Sequence, residues 1–596
     1  MPLKARSLAL AVLLLVACFA TYHRALRAPL DSDARFLATN NAFTLASDGP
    51  ARVWTADFFQ GAITHGVPYL SGYYRPVTNL LFWAEYRVAG IDPWRYHATQ
   101  LLLHVLNAFL VFLLVRRLSR RWWAGALAAA LFALHPVNAF AATQPAARAD
   151  VLFATFYLAA LVVFDGALTA PAGARIAWRL ALTVLLYLGA VLSKETGITL
   201  PAALCLLVAY RRTEQGIPWW RLVWTVPVWA AAAAYLVWRY LVLQLPSHAL
   251  GYAQTYGPLV LAFGVLKGVF IQVARLVLPL QPSFPELHPS LVDWAAAPLA
   301  DPLSYAALAL AVALGVGALL WRRSRVVAFW CALFVVTYAP LAKVDRIAGT
   351  LGRNVFLTQE RWIYLPGVAV LALAAIAAVQ LLKRWPARPR LLAGAGIGAV
   401  LLLLGATASA HAGRNADPFA ELRRLYLFPE ERLSRLERVN KLLLYAEWVA
   451  LPMRDTAEAE ARARRAVALV PDSPLPASAL AGILAMRGKW DEVETLLSPW
   501  LDPPRERLVA LEATNVRVAD DLNRVNPRVV FLLARAAAHR GDAARAAALL
   551  CEAVRRDVGA AEVEGAAREL EALTAARTGR PAPAFDAAAC RRERGP

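Results

Sequence analysis

Two stretches decide how this chain is read: Ala130–Phe164, ALFALHPVNAFAATQPAARADVLFATFYLAALVVF, and Leu185–Pro201, LLYLGAVLSKETGITLP. Each is an apolar run broken by a short turn that carries His, Arg and Asp, or Lys and Glu. Apolar runs of this length suit helices in a bilayer, whose core takes about 20 residues. An ionic group left at such a turn is costly unless it is paired or used.

Working outward, further runs of the same kind lie at 7–20, 97–115, 122–142, 150–168, 177–193, 196–210, 222–243, 303–321, 326–341, 362–382 and 391–411, about eleven spans in all. The first follows Lys4 and Arg6 and is expected to be an uncleaved anchor with a cytoplasmic N-terminus rather than a signal peptide. The pair within 177–210 is short enough to be a re-entrant hairpin instead, with no change in parity. Pro258 to Leu280 is read as a helix lying in the outer interface, with Lys267 and Arg275 reaching toward headgroups.

Composition agrees. Of 596 residues, 59% are hydrophobic and 18% charged, against about 45–50% and about 25% in soluble domains. This excludes a purely soluble, disordered or disulfide-scaffold protein. Five cysteines, three of them (Cys18, Cys205, Cys331) inside apolar runs, leave no CxxC zinc site, and no metal is expected. A net charge of +21 would suggest nucleic acid in a soluble chain. Here it sits in clusters between the runs: Arg116, Arg117, Arg120 and Arg121; Arg175 and Arg179; Arg211, Arg212 and Arg221; Arg322, Arg323 and Arg325; Lys383, Arg384, Arg388 and Arg390. With eleven spans all five fall on the side of the N-terminus, as cytoplasmic loops do. Membrane lipid is therefore the expected partner, not nucleic acid.

After His411 the pattern changes. Residues 415–596 are rich in Ala, Arg, Glu and Leu, with helical periodicity and no long apolar run. Asp472–Arg505 and Asn526–Gly559 read as two 34-residue units. In each, small residues fill a first helix, Gly488 or Gly541 marks a turn, and an amphipathic helix follows. This is a degenerate tetratricopeptide pattern, with a generic helical bundle as the alternative. The expected fold is thus all-α: a polytopic membrane part, 1–414, and a soluble helical-repeat part, 415–596. The tail faces the non-cytoplasmic side, where Cys551 and Cys590 could pair.

Charge on the outer face comes from separate loops. The first, about 22–96, holds Asp31, Asp33, Asp48, Asp57, His65 and the string YYRP at Tyr73–Pro76. The next turns carry His135, Arg148 and Asp150, then Lys194 and Glu195, then Lys343, Asp345, Arg346, Arg353 and Arg361. Singly, each suits a cap, a snorkelling cation or a local ion pair. As a set they suit one chemistry. Fixed cations hold a lipid phosphate, with Arg favoured for bidentate contact. A carboxylate opposite takes a proton from an acceptor hydroxyl, and the leaving phosphate is stabilised by Arg or Lys.

The order of YYRPVTNLLFW, GIDPWRYHATQLLLHVLNAFLVFLLVRRL, the two opening stretches and ERWIYLP, followed by C-terminal repeats, resembles the transmembrane and tetratricopeptide-repeat O-mannosyltransferase family. The resemblance implies a GT-C glycosyltransferase domain over 1–414, with first outer loop 22–96 and interface segment 244–302. It implies an inverting transfer from a polyprenyl-phosphate sugar, with mannose as the candidate, on the luminal or periplasmic face. No tightly bound cofactor is implied. The family's acidic pair maps on Ser32-Asp33, so either Asp31 or Asp33 is the candidate base. Where the family pattern reads HPVHTEAV and GRAD, this chain has Asn138 and Phe140 in place of the second His and the Glu, while His135, Arg148 and Asp150 match. The substrate-binding candidates are Tyr74, Arg75, His135, Arg148, Asp150, Lys194, Glu195 and Arg361, with Asp150 expected to hold Arg148. Residues 415–596 would bind an acceptor polypeptide or partner protein. Two alternatives are a lipid-linked sugar transporter and a non-catalytic scaffold anchoring the repeats. High Ala and Arg with little Lys suits a GC-rich bacterial genome, hence a bacterial inner membrane.

Overall fold

The computed structural model describes residues 3–30, 34, 37–39, 41–59, 73–171, 175–243, 258–277, 302–319, 324–341, 360–415, 435–446, 450, 455–471, 474–501, 518–555, 560–578 and 590. Asp31, Asp33, His65 and the loop carrying Lys343, Asp345, Arg346 and Arg353 lie outside the described residues, as does segment 244–302 apart from 258–277 and the residue 302 onward. The described residues form two compact units, one up to Pro418 and one from Phe419 onward. Both are helical, and among the described residues no strand longer than a single bridge occurs.

In the first unit, α1 is Leu3–Tyr22, α2 Pro76–Ala89, α3 Pro93–Ser119, α4 Trp122–Leu134, α5 Ala139–Thr143, α6 Arg148–Leu168, α7 Arg175–Ser193 and α8 Leu200–Gln215. Then come α9 Val226–Val237, α10 Pro258–Val277, α11 Pro302–Leu319, α12 Arg325–Tyr338, α13 Gly367–Lys383 and α14 Ala387–Asn415. Local signals set the ends. Asp92 caps α3 by accepting the Trp94 amide at 3.2 Å, with Pro93 in the first turn. Gly216, at φ +70°, closes α8.

Each of the eleven expected runs is helical. Among the described residues, six helical segments are long and apolar enough to cross a bilayer, and a bent pair makes a seventh. The chain is a multi-pass membrane protein. α8, α11, α12 and α13 occupy expected positions but fall outside this set. α8, α12 and α13 run only 16, 14 and 17 residues. The run at 122–142, read as one candidate span, is a bent pair: its two helical parts meet at 55° between Leu134 and Pro136. Pro136 lacks an amide hydrogen, so the helical ladder stops at His135.

Helix α6 is the axis of the unit. At about 1.5 Å per residue its 21 residues span about 31 Å, the thickness of a hydrocarbon core. Its C-terminal end collects the basic clusters. Arg211 donates from Nε and Nη2 to the Asp165 carboxylate at 2.6 and 2.9 Å. Arg117 donates to the Val162 carbonyl at 2.8 Å, Arg221 to Leu168 at 2.6 Å, and Arg179 to Gly166. Cations there also complement the helix dipole. Nearer its N-terminal end, buried polar contacts join α3, α6 and the turn before α13: His104 Nδ1 lies 2.8 Å from the Tyr364 hydroxyl, and Asn107 donates to that hydroxyl and to the Val151 carbonyl. Tyr22 donates to the Ala133 carbonyl at 2.9 Å. Such internal partners are what polar groups require in lipid.

The second unit stacks α15 Arg435–Tyr445, α16 Thr456–Leu469, α17 Pro474–Met486, α18 Trp490–Leu497, α19 Val518–Arg540, α20 Ala543–Arg555 and α21 Ala560–Thr578. Successive helices pack on one another around Leu480, Leu484, Val493, Leu533 and Leu550. Gly488 and Gly541 turn α17 into α18 and α19 into α20 at φ +71° and +86°, a conformation glycine adopts without penalty. Cys551 and Cys590 form a disulfide, their Cα atoms 5.2 Å apart.

Candidate functional site

The site is built at the N-terminal end of α6, opposite its basic end. The turn between α7 and α8 is SKETG. Gly197 there lies so close to the chain that a Cβ would meet the Val191 backbone at 2.7 Å. This tight turn sets Lys194 and Glu195 side by side, each reaching a different partner.

Lys194 donates to the Asp150 carboxylate, and Arg361 Nε lies 3.9 Å from the other Asp150 oxygen. Arg361 also donates to the Ala146 carbonyl at 2.9 Å. Asp150 stands in the first turn of α6, where a negative charge meets the helix dipole. Burial lowers the Lys194 pKa and Asp150 opposes that. With Arg75 and Arg361 adding repulsion, the ammonium titrates at about 8.

Glu195 takes the other direction. Arg75 reaches it through Nε and Nη2 at 3.0–3.2 Å, and the Tyr74 amide donates to it at 3.1 Å. Arg239 Nη1 lies 3.6 Å away. Burial alone would raise this carboxyl, but Arg75 and Arg239 outweigh it and hold it at about 2. Arg75 lies over the Tyr73 ring at 4.3 Å and over Phe58 at 5.1 Å. The Tyr74 hydroxyl donates to the Trp54 carbonyl at 2.8 Å and accepts from Trp238 Nε1 at 3.2 Å. One ion-pair cluster thus binds Asp150, Lys194 and Arg361, and another binds Arg75, Glu195 and Arg239. The Lys194–Glu195 peptide joins them.

Of the residues singled out in the sequence, Tyr74, Arg75, Asp150, Lys194, Glu195 and Arg361 meet here. Arg148 and His135 have other partners. Arg148 is 0% exposed, and its guanidinium is held by Gln100 at 2.6 Å, the Tyr96 carbonyl at 2.8 Å and the Glu85 carboxylate. The expectation that Asp150 holds Arg148 is corrected: Glu85 does, because α2 brings a carboxylate against the start of α6. His135 Nδ1 accepts the Val137 amide, and Nε2 lies 3.0 Å from the Leu276 carbonyl near the end of α10. Nδ1 thus caps the turn that breaks the span, and Nε2 ties that turn to α10. Sequence reading missed Glu85 and Arg239. The signal for Arg239 was a lone cation in the apolar run AYLVWRYLVL.

Among the described residues, no group of three or more His, Cys, Asp and Glu side chains converges as a metal site would.

No family model matches the chain. Curated relatives do. The protein O-mannosyl-transferase TMTC3 of Homo sapiens is 34% identical over 132 residues, 22% of this chain and 14% of that one. Over that stretch this chain is homologous to the TMTC O-mannosyltransferases. The Caenorhabditis elegans protein O-mannosyl-transferase F38B6.6 is 29% identical over 171 residues, 28% of this chain and 23% of the relative. Drosophila melanogaster Tmtc2 is 30% identical over 184 residues, 30% of this chain and 19% of the relative. The matched part is thus under a quarter of each of these relatives' length. Among solved structures, the archaeal oligosaccharyltransferase AglB of Archaeoglobus fulgidus aligns at TM-score 0.39 and 13% identity, covering 72% of this chain and 60% of that one. ArnT of Cupriavidus metallidurans aligns at TM-score 0.37 and 16% identity, covering 84% and 80%.

Proposed function

We propose that this chain is a GT-C glycosyltransferase that moves a sugar, in the first instance mannose, from a polyprenyl phosphate to a hydroxyl of a polypeptide on the non-cytoplasmic face. The observation that carries it is the pair of clusters joined at Lys194–Glu195, at the end of α6 opposite the basic clusters. A lipid phosphate at a membrane surface needs such fixed cations. Homology to the O-mannosyltransferases supports the sugar and the acceptor class.

In this reading Lys194, Arg361 and Arg75 hold the donor phosphate. Asp150 and Glu195 position those cations, and Tyr74 anchors the end of the first loop. Asp31 or Asp33 is the general base. The acceptor oxygen attacks the anomeric carbon as its proton passes to that carboxylate. The bond from the anomeric carbon to the phosphate oxygen breaks with inversion, and the polyprenyl phosphate leaves carrying the electron pair. Cations aimed at the leaving oxygens lower the barrier. Arg148 and His135 act as positioning residues, since their polar atoms already serve Glu85, Gln100 and the Leu276 carbonyl. No metal or tightly bound cofactor takes part.

The eleven helical runs are eleven crossings, α10 lies in the outer interface beside the lipid entry, and the N-terminus is cytoplasmic. The second unit is a tetratricopeptide-like array on the far side of a bacterial inner membrane, where it binds the acceptor polypeptide. Its disulfide supports that compartment, since thiols stay reduced in most cytosols.

The test is consumption of radiolabelled polyprenyl-phosphate mannose by membranes containing the protein, with label appearing in protein. Asp31→Asn and Asp33→Asn, made singly and together, should identify the base by loss of transfer at unchanged expression. No consumption by the wild type would favour a scaffold. Intact activity in the double variant would refute the base assignment.

A further inference from the structure

The C-terminal end of α6 holds a cluster of charge that the donor site does not use. Guanidinium groups from three separate elements close on its last carbonyls. Arg117 of α3 donates to Val162, Arg179 of α7 to Gly166, and Arg221 of the turn Trp219–Thr225 to Leu168. Gly166 permits the close approach. A Cβ built there would stand 3.2 Å from Arg117 Nη1 and 3.7 Å from Arg179 Nη1. Two guanidinium groups therefore face one notch where a side chain would otherwise be.

The protein does not match their charge. Arg211 takes both oxygens of Asp165, and Arg117 stands 3.9 Å from that carboxylate. Among the described residues no carboxylate pairs with Arg179 or Arg221. The neighbouring loops 169–174 and 320–324 contain no acid, and 211–221 only the exposed Glu214. Each carbonyl occupies one of the five N–H groups a guanidinium offers. Arg221 Nε is buried with no hydrogen-bond partner among the described residues. Like charges held this close repel wherever water is scarce, and an anion between them removes that cost.

The surroundings say which anion. Trp178 and Trp220 directly precede Arg179 and Arg221, and their exposed rings lie beside those guanidinium groups. Exposed Trp marks the level of lipid headgroups. There, basic pockets between helices take anionic lipids, and the fork of Arg matches a phosphodiester. A headgroup that also carries an ammonium would add a positive charge to a positive cluster.

We propose that the notch at Gly166, faced by Arg117 and Arg179 with Arg221 at its edge, binds the phosphate of one anionic glycerophospholipid from the leaflet at this end of the bundle. The lipid is a resident and not a substrate, so the site stands whether or not the donor reading holds.

Native mass spectrometry of the full chain in detergent counts bound lipid. The probes are dioleoylphosphatidylglycerol and dioleoylphosphatidylethanolamine, with inorganic phosphate as competitor and affinities taken on the folded fraction. Wild type should hold one phosphatidylglycerol at least tenfold more tightly than phosphatidylethanolamine. Arg117→Gln and Arg179→Gln should each weaken it at least fivefold. Gly166→Val, which keeps every charge but fills the notch, should do the same. Arg388→Gln removes an exposed cation of another basic cluster and should change nothing. Equal weakening in Arg388→Gln would reveal diffuse attraction and overturn the site. So would wild-type affinity in Gly166→Val or in the Arg117→Gln, Arg179→Gln double variant, or phosphatidylethanolamine bound as tightly. Displacement of the lipid by an equal concentration of inorganic phosphate would overturn the lipid assignment.

Discussion

Asp150 and Asp165 stand at opposite ends of α6, both buried, and each is neutralised by cations from other helices. Their separation along the helix corresponds to about 22 Å of rise. Asp165 gathers Arg211 and Arg117, from loops expected on the cytoplasmic side. Asp150 gathers Lys194 and Arg361, from loops expected on the far side. One helix therefore carries a structural ion pair at one end and the candidate site at the other.

The Asp165 end should matter to stability and not to chemistry. Asp165→Asn leaves the buried Arg211 without its carboxylate, a change that costs about 3–5 kcal/mol in comparable pairs. The melting temperature in detergent should fall clearly, and Asp165→Leu with Arg211→Leu should recover much of it. Turnover per folded molecule should stay near wild type.

The Lys194 ammonium gives the site a pH signature. With its pKa at about 8, it is charged below that pH and loses its charge above it. The kcat/KM for the lipid donor, which reports the free enzyme, should therefore fall above pH 8, approaching tenfold per unit. Bound phosphate favours the charged form, so kcat should break at higher pH. Lys194→Arg should remove the break, since guanidinium stays charged. A profile identical in Lys194→Arg would show that another group titrates.

Arg148 separates positioning from binding. Lys cannot reproduce its fork of donors to Glu85, Gln100 and the Tyr96 carbonyl. Arg148→Lys should cost about 1–3 kcal/mol of stability, read as a lower melting temperature, with KM for the donor nearly unchanged. A tenfold rise in KM at unchanged melting would make Arg148 a phosphate ligand.

Sidedness can be read with thiol labels. Asp48 and Glu214 are both exposed, in the first loop and at the end of α8. A membrane-impermeant maleimide on intact cells should label Asp48→Cys and spare Glu214→Cys. The Cys551–Cys590 pair should label only after reduction, and its loss should destabilise the second unit by about 2–4 kcal/mol.

Much of this arrangement was legible in the sequence for physical reasons. Apolar runs must be helical in lipid, so the helices other than α2 stand where hydropathy put helices, while α2 lies in the stretch 22–96 read as the first outer loop. Ion-pair partners were not legible. Arg148 lies two residues from Asp150, yet takes its carboxylate from Glu85, because partner choice depends on how α2 packs on α6. The break at His135 was signalled by Pro136 but hidden by the apolar residues on both sides. Arg239 escaped because one cation in an apolar run looks like a snorkelling residue until the turn that redirects it is seen.

The central claim is that Lys194 and Arg361 hold the donor phosphate. The dissociation constant of the purified protein for a polyprenyl phosphate tests it most directly, with Lys194→Gln and Arg361→Gln compared with Arg212→Gln at the other end of the bundle. Each of the first two should bind at least tenfold more weakly and the third like wild type, with the constants taken on the folded fraction, since removing Lys194 from its buried pair with Asp150 also lowers stability. Wild-type affinity in Lys194→Gln and Arg361→Gln would contradict it.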